Sequence, residues 1–304
     1  MRKTIKTGIR NYSRAAGFAI LLLVTAYGIY GFIKSGPSDA INFWKERQSA
    51  FLLIFVLSII DIMLDYICWA WTFSFWGIKV RSRRGLAIFI SAYAGLLMPV
   101  KMGNLLRPDG ISRSGLGGFT ESLEAEATVI VMDAMAALLI IACSAAQIIN
   151  PKTTLPACLL VSAGMYLFLN FSDRLPLIKK AGLPPQIRGG WQSIILILIK
   201  SASWAAHGFA LYFVLRGCPA GINAVHSMLI GTLSPLLGVS TGIPGGIGAT
   251  ESLLGISLSL EKLPANFIAL AVTAFRLISF WIWIPAGWIT LSLLNRKIKL
   301  RGQQ

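Results

Sequence analysis

Long apolar runs recur along this chain and constrain its fold more than any other feature of the sequence. A helix needs about 20 mostly apolar residues to cross a bilayer, and several runs here reach roughly 18 residues or more. Charged residues make up only 13% of the chain, against about 25% in soluble domains. The sequence therefore predicts an all-α polytopic membrane protein, a single transmembrane domain over residues 1–304 with about seven to nine hydrophobic segments, some of them re-entrant or interrupted. The runs are expected at residues 16–33, 50–76, 86–100, 127–149, 155–171, 191–215, 224–241, 249–260 and 265–293.

The basic residues predict the orientation of these segments. The net charge is +16, and Lys and Arg fall mainly in short loops and at the termini. This distribution is typical of cytoplasmic loops under the positive-inside rule, which is favoured here over nucleic-acid binding. We therefore expect a multi-pass protein of the inner (cytoplasmic) membrane with both termini in the cytoplasm. The basic segments that set this orientation are residues 2–14, 79–84, 174–188 and 296–301.

The third run, residues 86–100, decides how the chain threads the membrane. About fifteen residues are short for a full span and fit a re-entrant segment better. A full crossing would put the basic loop at residues 174–188 outside, whereas a re-entrant segment keeps it in the cytoplasm, as the charge distribution favours. We therefore expect a re-entrant segment, followed by a Gly-rich amphipathic stretch at residues 108–126 that lies near the membrane interface.

Two interruptions of the apolar pattern resemble each other, one in each half of the chain. Pro99 and Gly103 precede Arg107, and residues 242–251 (Gly-Ile-Pro-Gly-Gly-Ile-Gly-Ala-Thr-Glu) repeat the Pro-x-x-x-Gly spacing before Glu251. Irregular backbone at membrane depth is tolerated only where it is buried in protein or lines a cavity. These breaks are therefore candidate site elements, with ordinary helix kinks as the alternative.

Paired interruptions also predict an inverted repeat with a binding site between its halves. The two halves would cover about residues 16–150 and 155–293. Broken helices expose N–H groups that attract anions, and an ionisable group at membrane depth is a functional-site candidate. We therefore predict that the two breaks together hold the anionic headgroup of a membrane lipid, such as a phosphate. The candidate substrate-binding residues are Lys101, Arg107, Asp133, Gly245, Gly246, Gly248, Glu251 and Arg276.

These motifs resemble those of a known family. Residues 244–251 are similar to the Pro-Gly-Gly-(Leu/Ile)-Gly-x-x-Glu signature of the lysylphosphatidylglycerol synthase transmembrane-region family, also described as flippase-like membrane proteins. Pro99, Gly103 and Arg107 resemble the first-half motif Pro-x-Arg-x-Gly-Glu-x-x-Arg of that family. Asp133 resembles its fourth-helix Asp, and Arg276, which precedes Leu277 and Ile278, resembles the Arg of its last helix. The resemblance covers nearly the whole chain and implies a lipid-handling membrane protein.

The first half departs from the family pattern at several positions. Lys101 stands where the family often has Arg and keeps the charge, whereas Asn104 stands where it often has Glu. Val129 and Ile130 stand where a Glu-Arg pair often precedes the Asp. These departures indicate a divergent member or a different lipid. We expect no soluble aminoacyl-transferase domain after residue 304, so the resemblance is to the membrane half alone and does not imply lysyl transfer.

The charges within the apolar runs admit two interpretations. In the functional one, the cations hold the headgroup while Glu251 or Asp133 orients them or exchanges a proton. In the structural one, buried ion pairs lock the helices together. Motif and chemistry favour the functional interpretation for Arg107, Glu251 and Arg276. Both interpretations stay open for Asp61, Asp65 and Lys200.

The sequence indicates no metal or cofactor site. His207 is favoured as a helix-contact or cavity residue over a metal ligand, because no second His or Cys lies at ligand spacing. The glycines of the second break are not a nucleotide loop, since no Gly-Lys-Ser/Thr follows them. The four cysteines, Cys68, Cys143, Cys158 and Cys218, are interpreted as small buried hydrophobic residues.

We expect a lipid translocase, a flippase-like protein that moves a phosphate-bearing lipid of the phospholipid or polyprenyl-phosphate type across the inner membrane. The alternative is an accessory subunit or membrane-embedded enzyme for lipid-linked sugar or aminoacyl-lipid metabolism, acting with a soluble or membrane enzyme partner. No nucleotide-sugar site and no recognisable catalytic arrangement supports that alternative, so a transporter is favoured over an enzyme. An ion or small-solute transporter is a third hypothesis that relies on the same physical features.

Overall fold

The computed structural model describes residues 37–96, 98, 103–171, 190–216, 218 and 221–301. The expected first run at residues 16–33, Pro99, Lys101 and the basic loop at residues 174–188 lie outside the described residues. Every regular element in the described part of the chain is helical. The helices are α1 Pro37–Glu46, α2 Gln48–Ser74, α3 Arg83–Ser91, α4 Leu106–Arg113, α5 Phe119–Ile149, α6 Thr154–Phe171, α7 Trp191–Leu215, α8 Ala224–Ser240, α9 Ala249–Leu260, α10 Ala265–Arg276 and α11 Trp283–Arg301.

Among the described residues, five helical segments are long and apolar enough to cross a membrane, which confirms the all-α polytopic fold. Most of their bounds follow the expected runs closely, because hydropathy is a local property of the chain. There are two differences: α5 begins at Phe119, eight residues before the expected start, and a π-helical turn at Leu277–Trp281 separates α10 from α11 in the last run. The five segments are Gln48–Ser74, Phe119–Ile149, Pro151–Asn170, Trp191–Leu215 and Ala265–Arg296.

Helices α2, α5 and α7 pack against one another and form the centre of the molecule, and α8 packs on α5 and α7. Between α7 and α8 the backbones lie very close together. A Cβ atom built on Gly208 would lie 2.7 Å from the Met228 Cα, and one on Gly231 would lie 3.2 Å from the Gly208 Cα. Small residues at such crossings let membrane helices approach closely and gain packing energy.

The first break folds the third run into a helical hairpin. Helix α3 begins at a Ser82 side chain that accepts a hydrogen bond from the Gly85 N–H at 3.1 Å, and it spans nine residues, or roughly 14 Å. A 3-10 turn at Ala92–Gly95 follows, and α4 returns beside α3. A Cβ built on Gly103 would lie 2.4 Å from the Gly95 carbonyl oxygen. The chain therefore reverses here, as a re-entrant segment does.

The second break forms a similar reversal between α8 and α9. A 3-10 turn at Pro244–Gly246 follows α8, and Gly245, Gly246 and Gly248 all have positive φ, at 59°, 65° and 80°. Only glycine adopts this backbone region without strain, which explains the three glycines. Helix α9 then packs back against α8, so closely that a Cβ on Gly238 would overlap the Thr250 side chain.

The order of elements repeats along the chain. In each half a long helix is followed by a hairpin of two shorter helices and then by a further long helical segment: α2 with α3 and α4 before α5, and α7 with α8 and α9 before α10. This order agrees with the expected inverted repeat. The superposition of the two halves stays a prediction.

The stretch at residues 108–126, expected near the membrane interface, divides between α4 and α5, and its depth in the membrane stays a prediction. The expected start of the fourth run at residue 127 was wrong. Helix α5 begins at Phe119, so that the end of this stretch is the first part of a membrane-length helix. Arg107, Pro108 and Ile111 are buried on α4. The buried Glu126 of α5 pairs with the buried Arg107 of α4, so the two ends of this stretch are joined inside the protein.

The interpretation of the cysteines was correct for two of them only. Cys68 and Cys218 are buried free thiols. Cys143 and Cys158 form a disulfide that joins α5 to α6, with their Cα atoms 5.6 Å apart. The sharp turn at Asn150 and Pro151 brings the two helices together. The hydropathy of the sequence around each cysteine does not indicate this pairing.

Candidate functional site

The two breaks meet at one cavity of about 170 Å³ inside the helix bundle. The first break contributes Leu96, Gly103 and Asn104 to its wall, and the second contributes Ile243 and Gly245. At about 30 Å³ per water molecule the cavity has room for roughly five waters or a small polar group. The irregular backbone of both breaks therefore lines a shared cavity, which is where such backbone is tolerated in a membrane.

The point of contact between the breaks is Gly245. A Cβ atom built on Gly245 would lie 2.8 Å from the Leu96 carbonyl oxygen and 2.7 Å from Cζ of Phe280. Glycine at this position thus serves two needs, a positive φ and a close approach to the first break. Phe280 belongs to the π-helical turn and also lines the cavity.

Arg107 brings the first break a buried positive charge on the cavity wall. Its Nη1 donates to Oε1 of Glu126 at 2.8 Å, and Glu126 also accepts a hydrogen bond from Nε1 of Trp69 at 2.8 Å. The guanidinium lies 4.1 Å above the Phe89 ring centroid. Its Nε is buried without a hydrogen-bond partner. Arg107 lines the cavity, and a guanidinium with its several donors in a planar fork is suited to hold an anion there.

Lys200 brings a second buried positive charge to the same wall, and its side chain is only 3% exposed. The ammonium donates to a carboxylate oxygen of Asp65 and to Oδ1 of Asp133 at 3.3 Å. Nε1 of Trp204 also donates to Asp133, at 3.1 Å. Because α2, α5 and α7 contribute one charged residue each, this cluster ties the three central helices together.

Glu251 and Arg276 lie behind the second break and not on the cavity wall. Nε of Arg276 donates to Oε1 of Glu251 at 2.6 Å, and Oε2 of Glu251 accepts the Gly248 N–H at 2.7 Å. The guanidinium lies 4.0 Å above the ring of Phe280. The N-terminus of α9 therefore holds the protein's own carboxylate, so the expected exposed N–H groups at this break are at least partly occupied.

The structure thus divides the predicted site residues into two sets. Arg107, Asp133 and Gly245 line the cavity, while Gly246, Gly248, Glu251 and Arg276 support the second break from behind. Their roles in binding stay predictions, and Lys101 lies outside the described residues. Most of the charged side chains named are also in ion pairs, so the two interpretations of these charges are compatible with each other.

Sequence reasoning missed Glu126 and gave no preference for Asp65 and Lys200. Glu126 precedes Asp133 by seven residues, two helical turns, so both lie on one face of α5. That spacing was an available signal, hidden by the assignment of residues up to 126 to an interfacial stretch. Within the described part of the chain, no three His, Cys, Asp or Glu side chains are placed to hold a metal ion.

Comparison with known proteins agrees with this architecture. The model of a family described as the lysylphosphatidylglycerol synthase TM region matches residues 14–287. A UPF0104 membrane protein of Pyrococcus horikoshii is 36% identical over 99 residues. That match spans 31% of this chain and 28% of the relative's length.

Proposed function

Because this chain belongs to the lysylphosphatidylglycerol synthase transmembrane-region family, we propose that it is a lipid translocase that moves a phosphate-bearing lipid between the membrane leaflets. The observation that carries this proposal is the cavity shared by the two breaks, with Arg107 and Lys200 on its wall. The phosphate would enter the cavity while the acyl or prenyl tails stay in the surrounding lipid.

The charges on the cavity wall support a mechanism in which the phosphate replaces carboxylates as the partner of the buried cations. Arg107 and Lys200 share the cavity wall with Asp65 and Asp133. Lys200 is paired with both carboxylates, and Arg107 is paired with Glu126. A phosphate would compete with the carboxylates for the Nη1 donor of Arg107 and for the ammonium of Lys200. Charge-assisted bonds from Arg to phosphate are short and strong, which compensates for dehydration of the headgroup.

The two hairpins supply the moving parts of the proposed mechanism. Gly245 touches Leu96 across the cavity, so separating the two reversals would open the cavity on one side. Rocking of one repeat against the other around a fixed midplane site is the usual means of alternating access in transporters with broken helices.

We further propose that the chain lies in the inner membrane with its basic end in the cytoplasm. Arg113 lies in the last turn of α4, shortly before α5 begins at Phe119. Helix α5 is 31 residues or roughly 45 Å long. The Cys143–Cys158 disulfide lies near the other end of α5. Disulfides persist in oxidising compartments, which supports an external location for that end.

The orientation has a direct test in intact cells. In a background with Cys143→Ser and Cys158→Ser, the variant Lys152→Cys places a thiol on the exposed turn between α5 and α6, and a membrane-impermeant thiol reagent should label it. Labelling only by a permeant reagent would reverse the orientation. The same background without Lys152→Cys is the control for labelling of Cys68 and Cys218.

The translocase proposal is tested by headgroup-resolved lipid scrambling in proteoliposomes. The variant Ile243→Trp would narrow the cavity without changing a charge, because Ile243 lines the wall and is 41% exposed. Ile256→Trp is its matched control, since Ile256 is 59% exposed on α9 and does not line the cavity. We expect wild type and Ile256→Trp to move a phosphate-bearing lipid and Ile243→Trp to move it at least about tenfold more slowly, a barrier difference of ~1.4 kcal/mol.

Two outcomes would contradict the proposal. One is equal movement by all three proteins, which would show that the cavity is not on the lipid's path. The other is that wild type moves no phosphate-bearing lipid, which would favour the accessory-subunit hypothesis and direct the search to an enzyme partner.

A further inference from the structure

The cavity has an exposed apolar edge as well as its buried cations. Ile130 of α5 and Ile243 of the second break line the cavity, and their side chains are 38% and 41% exposed. The other described residues that line it are buried or partly exposed, and Arg107 and Lys200 are only 5% and 3% exposed. A side chain that lines a cavity and also reaches the outer surface lies at the mouth of that cavity. We call Ile130 and Ile243 the lateral portal.

The two residues of the lateral portal come from neighbouring elements. Helix α8 packs against α5, and the second break follows directly after α8. Val129, next to Ile130 on α5, and Val239, near the end of α8, also line the cavity. The lateral portal therefore lies between α5 and the second break, and apolar side chains border it on both sides.

The length of α5 places the lateral portal at the depth of the lipid tails. Ile130 follows Phe119, the first residue of α5, at a distance of roughly 17 Å along the helix axis. The helix is longer than the hydrocarbon core, at roughly 45 Å against about 30 Å. When α5 is centred in the bilayer, about 8 Å of it extends beyond the core at each end. Ile130 then lies inside the core, so the opening beside it is entered from lipid and not from water.

The outer face of α5 continues as an apolar surface to either side of the lateral portal. Leu123 and Leu138 are 38% and 52% exposed. They lie two helical turns before and after Ile130, so all three residues share one face of the helix. From Leu123 to Leu138 this face extends roughly 22 Å, which exceeds the ~15 Å of hydrocarbon in one leaflet. An acyl or prenyl tail can therefore lie along α5 past the midplane while its headgroup is at the lateral portal.

We propose that the lateral portal is a lipid-binding site, at which a phosphate headgroup passes between Ile130 and Ile243 into the cavity while its tail stays on the outer face of α5. This inference rests on the proposed function and specifies where the lipid enters. The distribution of polarity matches such a ligand, because the cations are inside and the exposed edge is apolar. The ligand is accordingly an amphipathic anion with a long tail. A water-soluble ion would have to cross hydrocarbon to reach this opening, which is costly for a charge.

The first test maps the position of the lipid tail. The full chain is placed in phosphatidylcholine vesicles with a trace of phosphatidylglycerol that carries a photoreactive diazirine in its tail, and the labelled residues are identified by mass spectrometry. We expect labelling at Ile130 and Ile243. An about tenfold excess of unlabelled phosphatidylglycerol, added in place of phosphatidylcholine, should lower that labelling about tenfold, because the two lipids compete for one site by mass action. Labelling of Leu160, which is 75% exposed on α6 and does not line the cavity, should stay unchanged.

The second test closes the lateral portal without changing a charge. Ile130→Trp places a larger apolar side chain at the mouth of the cavity, and we expect it to lower both the labelling of Ile243 and the scrambling rate at least about tenfold. Ile130→Val keeps a small apolar side chain there and should retain both. Leu160→Trp is the matched control, because it adds the same indole to an exposed apolar position away from the cavity.

A third measurement covers the case in which the Trp variant does not fold. In the background with Cys143→Ser and Cys158→Ser, Ile130→Cys should react with a membrane-soluble maleimide and not with a charged, water-soluble one. Lys152→Cys in the same background is the comparison, since Lys152 is exposed on the turn between α5 and α6 and should react with both reagents. Reaction of both variants with the charged reagent at the same rate would show that the mouth opens to water, which overturns the inference.

The outcomes separate the lateral portal from the proposed function. If wild type moves a phosphate-bearing lipid but the competitor does not lower labelling at Ile130 and Ile243, the portal is overturned and the translocase stands. If the competitor lowers that labelling but wild type moves no lipid, the translocase is overturned and the portal stands as a lipid-binding site. Equal scrambling by Ile130→Trp and Leu160→Trp also overturns the portal.

Discussion

The two chain reversals place their charged residues differently with respect to the cavity. At the first, Arg107 lies on the cavity wall and its partner Glu126 comes from a different element, α5. At the second, Glu251 and Arg276 lie behind the wall, and Glu251 also accepts the Gly248 N–H that begins α9. The first reversal therefore presents a charge to the cavity, whereas the second uses its charges to fix its own backbone.

This difference indicates that two hairpins of similar sequence pattern have different roles, one in contact with the ligand and one in stabilising the backbone. A charge on the wall acts on a ligand, so its removal should change which headgroup is handled. A charge that caps a helix acts on the backbone, so its removal should lower stability with little effect on headgroup preference. The predictions that follow test this division, beginning with the largest expected effect.

The first prediction concerns the buried pair of the first reversal. Arg107→Met removes the cation from a carboxylate whose side chain is 2% exposed, and breaking a buried pair in this way costs about 3–5 kcal/mol. We expect a large loss of thermal stability in detergent. The double variant Arg107→Met with Glu126→Gln should recover most of it, because neither charge is then left alone. Equal instability of single and double variants would show that the pair is not the source of the effect.

The second prediction compares two glycines of the second reversal. Gly245→Ala adds backbone strain at a positive φ and a clash with Leu96 and Phe280, whereas Gly248→Ala adds strain with no heavy atom within 4 Å of the new Cβ. We expect about 2–4 kcal/mol for Gly245→Ala and about 1–2 kcal/mol for Gly248→Ala. The measurement is thermal unfolding together with the scrambling rate. If the two variants lose the same stability and the same scrambling rate, the contact between the reversals contributes to neither.

The fold was predictable from sequence where the signal is local. The expected run at residues 191–215 coincides with α7, and both breaks lie where Pro and Gly interrupt the apolar pattern. The partners of the charges were not predictable in this way. Lys200 meets Asp65 across 135 positions of the chain, and such a choice depends on how α2 and α7 pack.

The candidate site was predictable in part, for the same reason. Arg107 and Gly245 were identified from the breaks themselves and lie on the cavity wall, although their roles stay predictions. Glu251 was placed in the site because its motif lies beside the break, but a capping carboxylate points back to its own helix N-terminus. Sequence proximity to a break therefore does not tell which side of the backbone a charge occupies.

The third prediction concerns that capping carboxylate. Glu251→Gln weakens both the Gly248 cap and the bond to Arg276, and we expect a loss of about 1–2 kcal/mol in the free energy of unfolding. Scrambling should slow in proportion to the folded fraction, with the preference between phosphatidylglycerol and phosphatidylcholine unchanged. A changed preference would place Glu251 in contact with the headgroup and remove the difference between the reversals.

The fourth prediction has the smallest expected effect and concerns a second charge on the same helix as Arg107. Asp109 and Arg113 of α4 are 3.2 Å apart and nearly half exposed, and an exposed pair at this spacing contributes about 0.3–0.5 kcal/mol. Asp109→Asn should therefore leave the midpoint of thermal unfolding almost unchanged and the scrambling rate equal to wild type. High salt should abolish the small difference in thermal stability between this variant and wild type, since exposed pairs are screened. A loss of thermal stability as large as that of Arg107→Met would contradict the comparison, because burial of the charge would then not distinguish the two positions. It would mean that α4 as a whole is only marginally stable.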